Sequence, residues 1–179
     1  MSVTAIEGVV AAGRVPTWIV PAAAVSTPPT IAAPTLPLVD VTDATGIKAD
    51  CYFDPGDITV TRTPTTRARQ RMCQVVSETI QTGEAIDVTI TAVFDQQADI
   101  ATPAEVNEVY ALLAPGADVY VFQAWGHDSS VALTNTGRVD SMRGTVQSRT
   151  KNQPTTPDED LKFTAVLSVS SYVEDVDLT

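Results

Sequence analysis

The chain's one histidine, His127, stands in the run Trp125-Gly126-His127-Asp128-Ser129-Ser130, beside a carboxylate and two hydroxyls. A base, a nucleophile and an orienting acid are the makings of acyl transfer, but the members of a triad converge from separate segments. Neighbours in sequence cannot do so, and the stretch reads as a solvated loop between strands. Cys51 and Cys73 lack CxxC spacing, and a single histidine cannot complete a zinc site of the usual kind with them. Reduced, buried thiols are expected, and with them the cell interior as compartment. The runs Asp158-Glu159-Asp160 and Glu174-Asp175-Val176-Asp177 lack the glycine-bearing spacing of a calcium loop and are expected as solvated charge. Glycines are scattered singly, so no loop is built to cradle phosphate. No catalytic set, metal site or cofactor is predicted.

One pattern of charge remains. Arg67, Arg69 and Arg71 alternate, so on a strand they share a face. Such a stripe could hold phosphate, or it could meet carboxylates of a neighbouring strand or subunit. The formal charge of -11, from 22 acidic and 11 basic residues, favours the second. It also argues against a nucleic-acid binder, which needs a basic footprint, and against a peripheral protein on an anionic membrane. The surrounding segment, Asp57 to Met72, is rich in threonine and arginine and lies between two β-type runs. Thr59, Thr61, Arg62, Arg67, Arg69 and Arg71 are therefore candidates for contact between subunits. The alternative is an exposed hairpin whose arginines meet solvent or the nearby Asp50 and Asp54.

The elements that must carry these residues are mostly β. A chain of 179 residues with 44% hydrophobic content fits one globular domain. Residues 1–37 are expected as an extended Pro/Ala-rich arm and 38–179 as the β domain. The prolines of the arm (Pro16, Pro21, Pro28, Pro29, Pro34 and Pro37) argue against a central strand there. Trp18, Ile19, Val20, Ile31, Leu36 and Leu38 argue that the arm lies on apolar surface. Period-two alternation predicts a half-buried strand over 47–53, with Asp54-Pro55-Gly56-Asp57 as a turn. Strands follow at 58–63 and 67–76, parted by Pro64-Thr65-Thr66, and at 85–95 after a turn at Thr82-Gly83. Thr102-Pro103-Ala104-Glu105 reads as a capping box opening a helix to about 114, with Val106, Val109, Tyr110, Leu112 and Leu113 on its apolar face. The run 118–125 is apolar on both faces and should be central. Strands at 137–149 and 161–176 flank a polar loop, 151–160. No targeting segment and no membrane span are expected.

The order of these features resembles the major tail proteins of long-tailed phages, particularly those of actinobacterial hosts. The resemblance covers roughly 36–179. It runs from the strand ending Asp50-Cys51-Tyr52-Phe53, through Arg71-Met72-Cys73 and the strand from Gly83 to Asp95, to Pro115-Gly116 leading into Trp125-Gly126. Gly137-Arg138-Val139-Asp140 and the terminal Glu174-Asp175-Val176-Asp177 complete it. The resemblance implies a β-sandwich or barrel of two antiparallel sheets with one flanking helix. It further implies a structural virion protein made in the host cytoplasm, with six copies in a ring and rings stacked into a tail tube. Partners would be further copies, the tape measure, the tail terminator and the tail tip, while DNA passes through unbound. The long hairpin and terminal arms would join rings. The alternatives are another virion ring, such as a tail terminator or head–tail connector, and a β-sandwich recognition module.

Overall fold

Asp118–Gln123 (β6) has four consecutive apolar residues, Val119, Tyr120, Val121 and Phe122, and all four are buried. Residues apolar on both faces belong inside a sheet, and β6 lies there. The computed structural model describes residues 13–43, 45–69, 72, 78–95, 105–156 and 158–179. The other strands are Thr17–Pro21 (β1), Thr35–Leu36 (β2), Ile47–Lys48 (β3), Ile58–Arg69 (β4), Glu78–Val93 (β5), Arg138–Lys151 (β7) and Lys162–Leu178 (β8). Among the described residues two short helices, Leu38–Val41 (α1) and Glu108–Leu112 (α2), accompany them. The strands join into one eight-stranded sheet in the order β3-β1-β6-β7-β8-β5-β4, with β2 pairing β8 off this path. Every pairing is antiparallel except β2 with β8.

The mostly β architecture with a flanking helix is the expected one, and its layers come from one continuous sheet. α2 touches both β1 and β5. In a flat sheet those strands would stand four spacings apart, about 19 Å, beyond the reach of so short a helix. The sheet therefore curls. Its concave side buries Ile19, Val88, Ile90, Val121, Met142, Phe163 and Leu167 against Val109 and Leu113 of α2. An aromatic group seals that end: Tyr110 stacks on Phe94 at 5.1 Å and meets Phe163 edge-on at 4.9 Å. The opposite face buries Trp18, Val20, Tyr120, Phe122 and Val176 beneath Val25, Leu36 and Val41. Asp40 holds this cover in place. Its buried carboxylate accepts from the Ser26 amide and hydroxyl at 3.0 Å and from the Thr27 amide at 3.1 Å.

Several expectations need correction. β1 lies between β3 and β6, an interior position that the prolines of the segment argue against. Pro16 precedes the strand and Pro21 ends it, so Thr17 to Val20 keep their donors for the ladder. The half-buried strand over 47–53 is only β3, followed by a 3-10 turn at Asp50–Tyr52. Ala49 takes the buried position and Cys51 turns outward, exposed rather than buried; Cys73 lies outside the described residues. Pro64-Thr65-Thr66 does not break the chain, because β4 runs through it as an edge strand, where a missing N–H is tolerated. The turn expected at Thr82-Gly83 is a register shift opposite Thr65/Thr66, an irregularity that β5 absorbs without ending. The strand expected over 67–76 ends by Arg69 as the last part of β4, and most of its remainder lies outside the described residues. The helix is shorter than 102–114: a 3-10 turn at Glu105–Asn107 leads into α2. Thr102 and Pro103 of the expected cap lie outside the described residues. Instead, the Asn107 side chain grips the Asp95 backbone, accepting from its N–H at 3.0 Å and donating to its carbonyl at 2.7 Å.

Candidate functional site

β4 and β5 pair from Ile58↔Ile90 to Arg69↔Glu78. β5 pairs with β8 only from Asp87 to Val93. Beyond Asp87 the two strands therefore leave the sheet as a two-stranded ribbon. Its residues are exposed on both faces, Ile80 and Ile86 being half-buried exceptions. Tyr172 and Glu174 of β8 reach its base at Arg62, and further out it extends beyond the sheet. Alternation explains why it leaves: Ile58 and Val60 give β4 an inward face at its base, and Arg62, Pro64 and Thr66 take over those positions further out. The apolar payload that would hold the strand to a core ends at Val60.

Of the predicted contact residues, Thr59, Thr61, Arg67 and Arg69 occupy alternate positions of β4 and share its outer face. Arg69 stands directly across from Glu78, and Thr61 across from Asp87. Neither Arg67 nor Arg69 forms an ion pair with a described residue. The carboxylates near the base of the ribbon, Asp50, Asp54 and Asp57, are engaged elsewhere. Asp54 and Asp57 hold Lys162 at 2.6 and 3.0 Å, and Asp50 accepts from the Thr17 amide at 2.7 Å. Arg71 lies outside the described residues.

Arg62 points the other way. Its guanidinium lies over the Tyr172 ring at 4.5 Å and pairs with Glu174. Tyr172 and Glu174 together hold Arg62 in its charged form, raising its pKa. Partial burial, and secondarily the Asp140 carboxylate, push the Tyr172 hydroxyl up, while Arg62 pulls it down. The pair forms one wall of an open groove of about 490 Å³, lined by Ile58, Val60, Arg62, Gln123, Trp125 and Tyr172. Three strands distant along the sheet meet here: β4 at the edge, the end of β6, and β8. Sequence reasoning singled out Arg62 and missed Trp125 and Tyr172 as its companions. The available signal was Trp125 itself, an aromatic placed just past a central strand and followed by glycine.

The histidine loop is arranged for turn-making. His127 Nε2 lies 3.0 Å from the Val131 carbonyl, and the Ser130 hydroxyl donates to Asp128 at 2.7 Å rather than facing the imidazole. Ser130, through its hydroxyl and then its amide, holds the Asp128 carboxyl below its ordinary value. Glu159 is likewise committed to Thr155, whose amide and hydroxyl lower its pKa. Among the described residues no group of three potential ligands is placed to hold a metal, and no helix is long and apolar enough to cross a membrane.

A chain of the SPP1 tail tube, solved by solid-state NMR and cryo-EM, matches at a TM-score of 0.54 and 10% identity. The alignment covers 93% of this chain and 79% of that one. A chain of the anti-feeding prophage baseplate aligns over 97% of this chain and 96% of its own, at 9% identity and a TM-score of 0.48. At such identities the SPP1 likeness concerns the fold. No curated protein sequence matches. The family model described as phage tail tube protein matches residues 3–177, nearly the whole length. The chain belongs to the phage tail tube protein family and is a structural component of the virion tail.

Proposed function

We propose that six copies of this chain close a ring, that rings stack into the hollow tube of the tail, and that the β4–β5 ribbon makes the contact between copies. The observation that carries the ribbon's role is its exposure on both faces over the stretch beyond Asp87. A lone two-stranded ribbon is marginal in water, so one this long gains order by lying on another surface. Arg67 and Arg69, without an ion-pair partner among the described residues, bring positive charge to a neighbour that is acidic overall. Such contacts set register and association rate, and salt weakens them.

In this reading the chain works by assembly, not catalysis. Six copies carry 6 × -11 = -66 formal charges per ring. Those facing the lumen repel DNA within a Debye length of about 8 Å, so the nucleic acid passes without adhering. The tape measure, tail terminator and tail tip are the further partners this role requires. Electron microscopy of the purified protein at high concentration, with a tail-tip nucleus supplied, tests the proposal. Tubes of one diameter with six-fold averages support it. A strictly monomeric protein, or a ring of different symmetry, overturns the corresponding part.

A further inference from the structure

The inward face of β6 reads Val119, Val121, Gln123, and the last of these breaks the pattern. Val119 and Val121 belong to the core beneath α2, whereas Gln123 brings a side-chain amide to that face with 7% of the residue exposed. No described residue hydrogen-bonds this amide, and among the described residues no polar side-chain atom is sealed away without a partner. The amide therefore opens into the groove that Gln123 lines with Arg62, Trp125 and Tyr172. An uncommitted amide in such a place destabilises the fold, since an apolar side chain would extend the core instead. A ligand accounts for it. We infer that the groove binds a neutral sugar ring, stacked on Trp125 and hydrogen-bonded to Gln123. The inference does not depend on how copies assemble.

The setting suits a small ligand. Phe94, Tyr110 and Phe163 seal the concave side of the sheet at the α2 end. Tyr172 lies further along the same strand as Phe163, roughly 30 Å on at 3.3 Å per residue, so the groove opens at the other end. Mouths of curled sheets are common ligand sites, and about 490 Å³ falls within their usual range of roughly 300–1,000 Å³. Trp125 is held ready there. The Ala124 amide donates to the Pro16 carbonyl at 3.0 Å and the Gly126 amide to the Arg14 carbonyl at 2.7 Å. These bonds fix the backbone on both sides of an indole that is 65% exposed, so little ordering is left for a ligand to impose.

The class of ligand follows from what the walls offer. A pyranose presents one face of C–H bonds, which matches an indole, and a rim of hydroxyls that donate and accept. An amide does both as well, and Tyr172 adds a hydroxyl. The Arg62 guanidinium is already paired with Glu174, and the Asp140 carboxylate acts on Tyr172 from the same wall. No positive charge is left over for an acidic or phosphorylated sugar, and a neutral one is selected.

Solution NMR on the full-length chain tests this, with D-glucose, D-galactose, D-mannose and N-acetyl-D-glucosamine as probes, each also as an oligosaccharide. The chain has two tryptophans, so the exposed Trp125 indole can be read against the buried Trp18. At least one probe should shift the Trp125 indole N–H and the Gln123 side-chain amide along a single saturating curve, with Trp18 unmoved. Tighter binding of the oligosaccharide supports a glycan chain as the source, and equal binding supports the free sugar. Trp125→Ala and Gln123→Met should each weaken binding about tenfold or more. Gln123→Met should also melt at or above the parent's temperature, because no hydrogen bond within the protein is lost. A lower melt with sugar binding unchanged would show that the amide serves the fold, and overturns the inference. Absence of any shift at millimolar sugar overturns it too. So does a shift produced by N-acetyltryptophanamide and by no sugar, which would assign the groove to a protein partner.

Discussion

The centre of the sheet and its projecting ribbon are built from the same pairing and put it to opposite uses. In β6 every residue from Val119 to Gln123 is buried, and the strand is paired on both sides. In the outer part of β4 every residue from Thr61 to Arg69 is exposed, and the strand is paired on one side only. Both keep a continuous antiparallel ladder on at least one side, β6 with β7 and β4 with β5. The difference is apolar burial, worth roughly 25 cal/mol per Å². Stability therefore resides in the centre, and the contact proposed for the ribbon would order it against a neighbour's surface. Substitutions in the two regions should fall into two classes: those that unfold the monomer, and those that leave it folded but unable to assemble.

The largest loss is expected at Phe122, fully buried on the face covered by Val25, Leu36 and Val41. Phe122→Ala removes a ring stacked on Tyr120 at 5.5 Å, and should cost about 3–5 kcal/mol in chemical denaturation. A cost below about 1 kcal/mol would show that the cover can collapse onto the cavity. Next comes Leu113→Ala beneath α2, at about 2–4 kcal/mol. A melt equal to the parent's would show that the helix is not packed on the sheet.

A smaller effect is expected at Asp40. Its carboxylate accepts the Ser26 amide and hydroxyl and the Thr27 amide, which join the covering segment to α1. Asp40→Ala leaves those donors without their acceptor and should cost about 1–3 kcal/mol. Hydrogen exchange should rise first at Ser26 and Thr27, before any change at β6. Uniform acceleration across the sheet would mean that the cover and the sheet unfold as one unit.

How far the sequence foretold these regions follows from what each is made of. β6, β7 and β8 were legible because their residues alternate or run apolar over long stretches, and tertiary context only confirms that pattern. β1 runs against the proline signal because Pro16 and Pro21 bracket, rather than interrupt, a four-residue run that keeps its own donors. The segment at 47–53 alternates in type, yet its chain bends at Asp50, whose carboxylate is drawn to the Thr17 amide on β1. A contact 33 residues away leaves no mark on local periodicity. The ribbon's candidates were legible from charge against an acidic background. The groove was not, since it joins β4, β6 and β8 only after the sheet has curled.

The smallest effect on stability, and the sharpest test of the comparison, is expected from Arg67→Ala combined with Arg69→Ala. Both residues lie on the exposed face of β4, and neither pairs with a described carboxylate. Surface substitutions of this kind usually change stability by less than about 0.5 kcal/mol. The melt should therefore match the parent's, and circular dichroism should show the same β content. Assembly should suffer if, as proposed, the two charges meet an acidic neighbour. The defect should resemble that of the parent at high salt, which screens the same attraction. Tubes of normal length and number from the double variant would return the ribbon to the status of an exposed hairpin. A variant that failed to fold would do so differently, by showing that these arginines belong to the stability of the body after all.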